Sequence, residues 1–455
     1  MTAEDETIGQ IRSFLDRLFP ICRSLTGNGN RTSLRMLAEL TDLRIQEIPS
    51  GTKVFDWTVP DEWNITDAWI KNPAGAKVVD FRKCNLHVVS YSTPARGVLP
   101  FAELRKHIHT LPAHPTVVPY RTSYYQREWG FCMAQAELDK LDPSVDYEVC
   151  IESSHDPRGG LTLADAIHRG ASDREILLST YCCHPSLAND NLSGLILAVL
   201  LFRHISQRKT RFTYRLAIVP ETIGAIAYLA KFREEMRKVD GGAVITTVGG
   251  PGRLGMKSSF DRTSAVERAA RLALAEFEPQ WIDHPFVPKG SDERQYSSPG
   301  FRIPTVTICK DKYYEYKEYH TSSDNLSFVR PENIFKTLQV YVRWFEYMEM
   351  NVRFRRNEPH CEFQLGRRGL FPNIGGSINQ QASLETGETR ATKTYSIGGE
   401  DRVTGQDLDA ISWIMFGCDG QTDLLSIAAR SGISLNVLHT VARRLERHDL
   451  ISQVP

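Results

Sequence analysis

The chain has 455 residues, of which 41% are hydrophobic and 24% charged, and its 55 lysines and arginines balance 55 aspartates and glutamates. This globular composition excludes a disordered or fibrous chain, and the length predicts about three domains at roughly 150 residues each. Zero net charge argues against bulk electrostatic binding of nucleic acid or of an anionic membrane.

The start of the chain is acidic and lacks the basic segment and apolar run of a signal peptide. The apolar run at residues 195–202 is too short to span a bilayer. The nine cysteines are an odd number without a CxxC pair, which favours reduced thiols. We therefore expect a cytoplasmic protein that has no membrane partner.

The spacing of apolar residues predicts two helices at the start, over residues 6–19 and 33–44. Tryptophans, prolines and short alternating runs then predict a mostly β module. From residue 175, apolar strands alternate with helices; the predicted strands are 176–181, 212–219, 243–248 and 305–309, and the predicted helices are 192–205, 223–236, 263–277 and 333–348. This alternation predicts an α/β fold with a mainly parallel sheet sandwiched by helices.

The C-terminal part has a different pattern. Arginines and then a Gly/Asn/Gln/Ser/Thr-rich stretch predict a linker. Beyond it, Thr422 and Ser434 are candidate caps of two short helices, with a wing strand near residue 449, which predicts a winged helix-turn-helix. The predicted domains are an α/β domain at 1–50 and 166–350, a β-rich insertion at 51–165, the linker at 351–401 and the winged helix at 402–455.

Three polar clusters follow predicted strands, where function sits in parallel sheets. His184 ends one strand and Asp190 precedes the next helix, so the two could share a Zn²⁺ ion. Alternatively, Asp190 or Asn189 caps the helix and His184 is an ordinary loop histidine. Glu221 ends the next strand, as a general base or as a favourable anion at a helix start.

The third cluster contains His320, which could complete a metal site. Asp324 could orient the ring of His320, or it could be a turn residue. A separate polar loop at 290–296 contains several ionisable side chains that could bind substrate or simply be solvated; those singled out are Asp292, Glu293, Arg294 and Tyr296.

In order and context these clusters resemble those of the zinc-dependent aminopeptidases of the bacterial leucyl aminopeptidase type. The family's blocks are His, D-x-x-S-G, E-E-x-G, S-D-x and Y-H-T-x-x-D, and they correspond here to residues 184, 190–194, 221–224, 291–293 and 319–324. More closely, the whole chain resembles a bacterial aminopeptidase-like group with a swivelling, protease-associated-like insertion and a C-terminal winged helix. The similar stretches are residues 20–27, 122–125, 129–132 and 290–296.

The chain departs from the two-zinc pattern at two ligand positions. Thr222 stands where the family has a second metal-binding Glu, and Thr246 or Thr247 stands where it has an Asp. The resemblance therefore implies one Zn²⁺ per chain, held by His184, Asp190 and His320 with water in the fourth position. Glu221 would deprotonate that water.

The resemblance implies a zinc-dependent aminopeptidase or related amidohydrolase that cleaves an amide bond of a peptide or aminoacyl conjugate. Asp292, Glu293 and Glu318 are candidates to receive the substrate ammonium group. Arg294 could clamp a substrate carboxylate, and Tyr296 belongs to the same substrate-binding loop.

Two other classes of function stay open. The missing carboxylates favour a catalytically silent zinc-binding or assembly module, although a silent site has no evident need for Glu221. The winged helix could instead belong to a DNA-binding regulator. Residues 402–455, however, hold five arginines against six carboxylates, a net charge of −1, whereas a DNA reader normally has a basic face. We therefore expect this unit to dock a protein partner, a second copy or its own chain rather than nucleic acid.

Overall fold

The computed structural model describes residues 2–123, 125–371, 394–396 and 402–454. The chain divides into two compact units, Met1–Arg343 and Trp344–Pro455. Within the described residues, every helix is too short or too polar to cross a bilayer.

The first unit is built on an eight-stranded sheet. In spatial order its strands are Arg44–Pro49, Gly160–His168, Thr213–Val219, Glu175–Tyr181, Val239–Val244, Thr305–Cys309, Gly255–Lys257 and Ile282–His284. The four strands from Thr213–Val219 to Thr305–Cys309 are mutually parallel, and the flanking pairs are mostly antiparallel. The predicted α/β fold with a mainly parallel sheet is confirmed, with antiparallel strands added at its edges.

Helices cover the sheet because their apolar faces need a partner. The helix Gly194–Ser206 is buried along nearly its whole length, and it packs on the central strands. The other helices of more than one turn that begin in this unit are Ala3–Leu18, Asn28–Leu37, Ile223–Lys231, Ala265–Phe277 and Pro331–Met350. The second helix was predicted at 33–44, but it ends at Leu37 and residues 44–49 form a strand.

The insertion contains a separate four-stranded antiparallel sheet. Its strands, in spatial order, are Lys77–Asp80, Glu62–Lys71, Asp146–Asp156 and Ala95–Pro100. Short strand pairs and single helical turns complete it, at Lys53–Val54 with Trp57–Thr58, Ile108–His109 with Phe131–Cys132, Phe101–Leu104 and Gln135–Leu138. The predicted module extended to residue 165, whereas Gly160–His168 pairs with Thr213–Val219 in the large sheet.

The second unit contains a three-stranded antiparallel sheet of Asp419–Asp423, Arg353–Arg356 and Ile451–Val454. The helices Gly405–Gly417, Leu424–Ser431 and Leu435–Arg447 accompany it, and Thr394–Ser396 pairs with Arg402–Thr404. Ser434 caps a helix as predicted, but the cap of the preceding helix is Asp423 rather than Thr422. Part of the predicted 351–401 linker is thus a sheet strand, and its residues 372–393 and 397–401 lie outside the described residues.

Candidate active site

His184 and Glu221 lie together because two neighbouring parallel strands end at the same edge of the sheet. The strand Glu175–Tyr181 leads to His184, and Thr213–Val219 leads to Glu221. His184 is only 6% exposed, and its Nε2 lies 4.0 Å from Glu221 Oε2. The Glu221 side chain is 26% exposed, so solvent reaches this edge from the side of Glu221.

Asp190 lies in the segment Ala188–Ser193, which precedes the helix Gly194–Ser206, and its own backbone is not helical, with a φ of −110° and a ψ of 80°. One carboxylate oxygen, Oδ2, lies 3.0 Å from His320 Nε2 and 4.0 Å from His184 Nε2. The other oxygen accepts a hydrogen bond from the Tyr181 hydroxyl. Asp190 therefore joins the two imidazoles instead of capping the helix, and Asn189 binds the main-chain N–H of Gly249 at 2.8 Å.

The protonation states of His184 and Asp190 suit metal ligation. Burial lowers the pKa of His184 to about 4, so the ring is neutral near pH 7. Burial raises the pKa of Asp190, but the imidazoles of His184 and His320 outweigh it and bring that pKa to about 2. A neutral imidazole and an ionised carboxylate are the forms that bind a divalent cation.

Asp324 supports Asp190 rather than the His320 ring that it was predicted to orient. Its buried carboxylate accepts the main-chain N–H groups of Asn189 at 2.6 Å and Asp190 at 2.9 Å. Burial raises the pKa of Asp324 to about 8. The His320 ring instead stacks on Tyr319, with centroids 3.9 Å apart.

Several carboxyl groups lie close to Glu221. The pKa of Glu221 is raised well above its ordinary value, because the carboxyl is largely withdrawn from water and faces the carboxylates of Asp292 and Asp190. His184, Asp190 and His320 each offer a ligand atom, and these atoms lie within 4.8 Å of one another. Two imidazoles and one carboxylate, with further carboxyl groups beside them, fit a Zn²⁺ ion.

The 290–296 loop reaches the site through Thr222. The Thr222 N–H donates to Asp292 Oδ1 at 2.7 Å, and the Arg294 guanidinium donates to the Thr222 hydroxyl at 3.0 Å. Burial raises the pKa of Asp292 to about 7. Thr222 has a φ of +65°, which is strained for a β-branched residue, and these two contacts hold it there.

Two other residues predicted for substrate binding, Glu293 and Tyr296, lie away from solvent, whereas Glu318 is partly exposed. Glu293 Oε1 binds the Lys257 ammonium group and accepts the Tyr313 hydroxyl at 2.6 Å, and all three side chains are buried. Tyr296 is fully buried, with its hydroxyl 2.7 Å from that of Ser179. Glu318 lies two residues before His320, and its side chain is 16% exposed.

Three neighbours of the site were absent from the sequence-based site prediction. Tyr181 binds Asp190, Cys183 contacts His184, and the ring of Tyr120 lies 5.2 Å from the His184 ring and 5.0 Å from the His320 ring. Cys183 could have been suspected from its place beside His184. Tyr120 lies in the insertion, and only the folded chain brings it to the site.

Comparison with known proteins supports this assignment of the fold. A family model described as a domain of unknown function (DUF4910) matches residues 12–351, and a winged helix-turn-helix model matches residues 394–453. A candidate polysaccharide biosynthesis protein with an aminopeptidase-like domain, from Clostridium acetobutylicum, is 38% identical over 99% of this chain and 97% of its own.

Solved structures agree with these matches. The crystal structure of a candidate peptidase from Clostridium acetobutylicum aligns with a TM-score of 0.87 at 36% identity, over 99% of this chain and 97% of that one. The zinc aminopeptidase BSAP from Bacillus subtilis aligns with a TM-score of 0.56 at 12% identity, over 75% of this chain and 94% of that one. At 12% identity, the structural similarity to BSAP shows a shared fold and nothing more.

Proposed function

The chain belongs to the DUF4910 family, and from that premise we propose that it is a zinc-dependent aminopeptidase or a related amidohydrolase. The proposed reaction is hydrolysis of an amide bond in a peptide or an aminoacyl conjugate. One observation carries the proposal: His184, Asp190 and His320 converge at the sheet edge, with the Glu221 carboxylate on the same side.

In the proposed site His184, Asp190 and His320 would hold one Zn²⁺ ion. When bound there, the ion would polarise the substrate carbonyl and lower the pKa of water toward neutrality. Glu221 takes a proton from the water that adds to the carbonyl carbon. It then gives that proton to the amine nitrogen as the C–N bond breaks. The raised pKa of Glu221 suits a group that both accepts and donates a proton.

Arg294, Asp292 and Glu318 are the proposed substrate-binding residues. Arg294 and Asp292 both contact Thr222, next to Glu221, so their charges act close to the reacting atoms. In this proposal Arg294 receives a carboxylate of the substrate, and Asp292 or Glu318 receives its ammonium group. We assign Glu293 and Tyr296 to holding the loop, because Glu293 binds Lys257 and Tyr313 and the Tyr296 hydroxyl contacts that of Ser179.

The direct test of this mechanism is Glu221→Gln. The amide cannot take up the proton, so we expect turnover of an aminoacyl anilide to fall at least 100-fold, while the zinc content stays unchanged. Glu332→Gln, an exposed glutamate that bonds Arg12, is the matched control and should keep full activity. Undiminished activity of Glu221→Gln contradicts the assignment of the base.

A metal-binding module without catalysis is the second candidate, and the environment of two threonines favours it. Neither position supplies a carboxylate, because both residues are threonines. The Thr222 hydroxyl accepts a hydrogen bond from Arg294, and the Thr246 hydroxyl lies 2.7 Å from that of Tyr181. A panel of aminoacyl anilides, dipeptides and acetylated sugars separates the two candidates. The acetylated sugars are included because the Clostridium relative is named for polysaccharide biosynthesis. Zinc uptake with no turnover of any substrate supports the silent module.

A further inference from the structure

The two nitrogens of the His184 ring have different surroundings. Nε2 lies 4.0 Å from both Asp190 Oδ2 and Glu221 Oε2, on the side where the ligand atoms converge. Nδ1 lies 3.3 Å from the sulfur of Cys183. Cys183 is 3% exposed, so water does not compete for this contact.

The geometry of imidazole places the Cys183 sulfur and the candidate ligand atoms at different edges of the His184 ring. The two ring nitrogens point in divergent directions, so a cation bound at Nε2 lies on the side away from Cys183. The Nδ1 of a metal-ligating histidine usually donates its N–H to a partner, which fixes the tautomer and leaves the Nε2 lone pair for the cation. In this chain the group in that position is a thiol.

The same sulfur also contacts the segment that presents the base. The main-chain N–H of Glu221 donates to Cys183 Sγ at 3.3 Å. This contact lies next to Thr222, whose strained backbone turns the chain into the helix Ile223–Lys231. One buried atom therefore touches the proposed ligand His184 and the backbone of the proposed base.

We propose that Cys183 is a positioning residue whose sulfur accepts N–H bonds from His184 Nδ1 and from the Glu221 main chain. This proposal rests on the proposed function. In it, the Cys183 thiol fixes the tautomer of the His184 ring and also positions the Glu221 main chain. Cys183 itself is not a ligand, although its sulfur lies within 4.8 Å of ligand atoms of His184 and Glu221.

The test compares the zinc affinity of three variants of the full chain, measured by competition with a chromophoric chelator. Cys183→Ala removes the acceptor, and we expect its zinc dissociation constant to rise about 10–100-fold. Cys183→Ser keeps an acceptor at that place and should stay within a few-fold of wild type. Cys182→Ala is the matched control, because Cys182 is equally buried but its sulfur bonds Ser33 near Arg23.

Two results overturn the role given to Cys183 and leave the proposed function intact. One is a zinc affinity of Cys183→Ala equal to that of Cys182→Ala. The other is a thiolate-to-cobalt absorption band that is present in the Co²⁺-loaded wild type and absent from Cys183→Ser. Such a band would show that Cys183 is itself a metal ligand. A wild-type chain that takes up no zinc overturns the proposed function and this inference together. Zinc uptake with an unaltered Cys183→Ala overturns this inference alone.

Discussion

Asp190 depends on several neighbours that each hold one of its atoms. Tyr181 binds Oδ1, His320 lies beside Oδ2, and Asp324 accepts the main-chain N–H. The loop of His184 is fixed in a similar way, because the buried Arg23 guanidinium donates to the His184 carbonyl at 3.0 Å and to the Leu18 carbonyl at 2.7 Å. The protein thus holds the ligand atoms in place before a cation binds. Such a preorganised site is expected to bind a cation more tightly than a site on a flexible loop.

Tyr181→Phe tests this preorganisation. Loss of the hydroxyl leaves Asp190 Oδ1 without its donor, so we expect zinc affinity to fall about 10-fold. Tyr341→Phe is the control, because its buried hydroxyl donates to the Ile308 carbonyl at 2.9 Å, outside the site. Both variants lose a buried hydrogen bond, but only Tyr181→Phe should change the zinc dissociation constant measured by chelator competition. Equal affinities in the two variants would refute the role given to Tyr181.

At the scale of elements, one arginine joins three parts of the first unit. Arg31, on the helix Asn28–Leu37, binds Glu62 in bidentate fashion, with nitrogen–oxygen distances of 2.7 and 2.5 Å. It also bonds Glu47 Oε1 at 2.8 Å. Glu62 lies in the sheet of the insertion and Glu47 in the edge strand of the large sheet, so this ion-pair network ties the insertion to the α/β domain.

Replacement of Arg31 should loosen this junction. We expect Arg31→Met to lower the free energy of unfolding by about 1–3 kcal/mol, because Glu62 loses a charged partner while it stays mostly buried. Arg35→Met, an exposed arginine one turn along the same helix, should change it by less than about 0.5 kcal/mol. Urea titrations of the two variants provide the measurement, and equal losses would contradict the role of the network.

The same network predicts an acid dependence of stability. The Arg31 guanidinium lowers the pKa of Glu62 from its ordinary 4.5 to about 2. The contribution of Glu62 is therefore complete above about pH 4.5 and is lost as the pH falls toward 2, because the unfolded state then binds more protons. The difference in unfolding free energy between wild type and Glu62→Gln should shrink over this interval. A constant difference would show that Glu62 does not titrate as described.

The sequence predicted the central parallel strands well because they are buried on both faces and continuously apolar. The boundaries of one strand were less accurate. The strand Val239–Val244, which contains Gly241 and Gly242, was predicted four residues too late in the chain. Glycine lacks the side chain that marks a strand, but Gly242 lies so close to the Leu177 carbonyl that a Cβ would clash. The edge strand Arg44–Pro49 was not predicted, and its neighbour Gly160–His168 was only partly covered, by the β-rich insertion predicted to end at residue 165.

At the scale of the whole molecule, the insertion takes part in the site. The main-chain N–H of Tyr120 donates to the His320 carbonyl at 2.8 Å, and the N–H of Val118 donates to the Ser322 hydroxyl at 3.0 Å. The order of motifs in the sequence predicted that His184, Asp190, Glu221 and His320 would lie near one another, and in the structure they do. It could not locate Tyr120, because that contact depends on how the insertion folds back onto the loop around His320.

The charge of the winged helix leads to a prediction for the full chain. Its residues 402–455 have a net charge of −1, and Arg443 is bonded to Glu446 at 2.7 Å within the unit. With this charge balance there is little counterion release to drive binding to duplex DNA. We expect no gel shift of random-sequence duplex at low salt. Retardation that disappears as salt is raised would favour the DNA-binding regulator instead.

The most direct test of the central claim is to measure zinc content and amide hydrolysis on the same purified full chain, before and after chelation. We predict about one zinc per chain, loss of hydrolysis when the zinc is removed, and recovery when one equivalent is returned. Substrates are taken from the panel of aminoacyl anilides, dipeptides and acetylated sugars. Undiminished hydrolysis by the metal-free chain would contradict the proposed zinc-dependent mechanism.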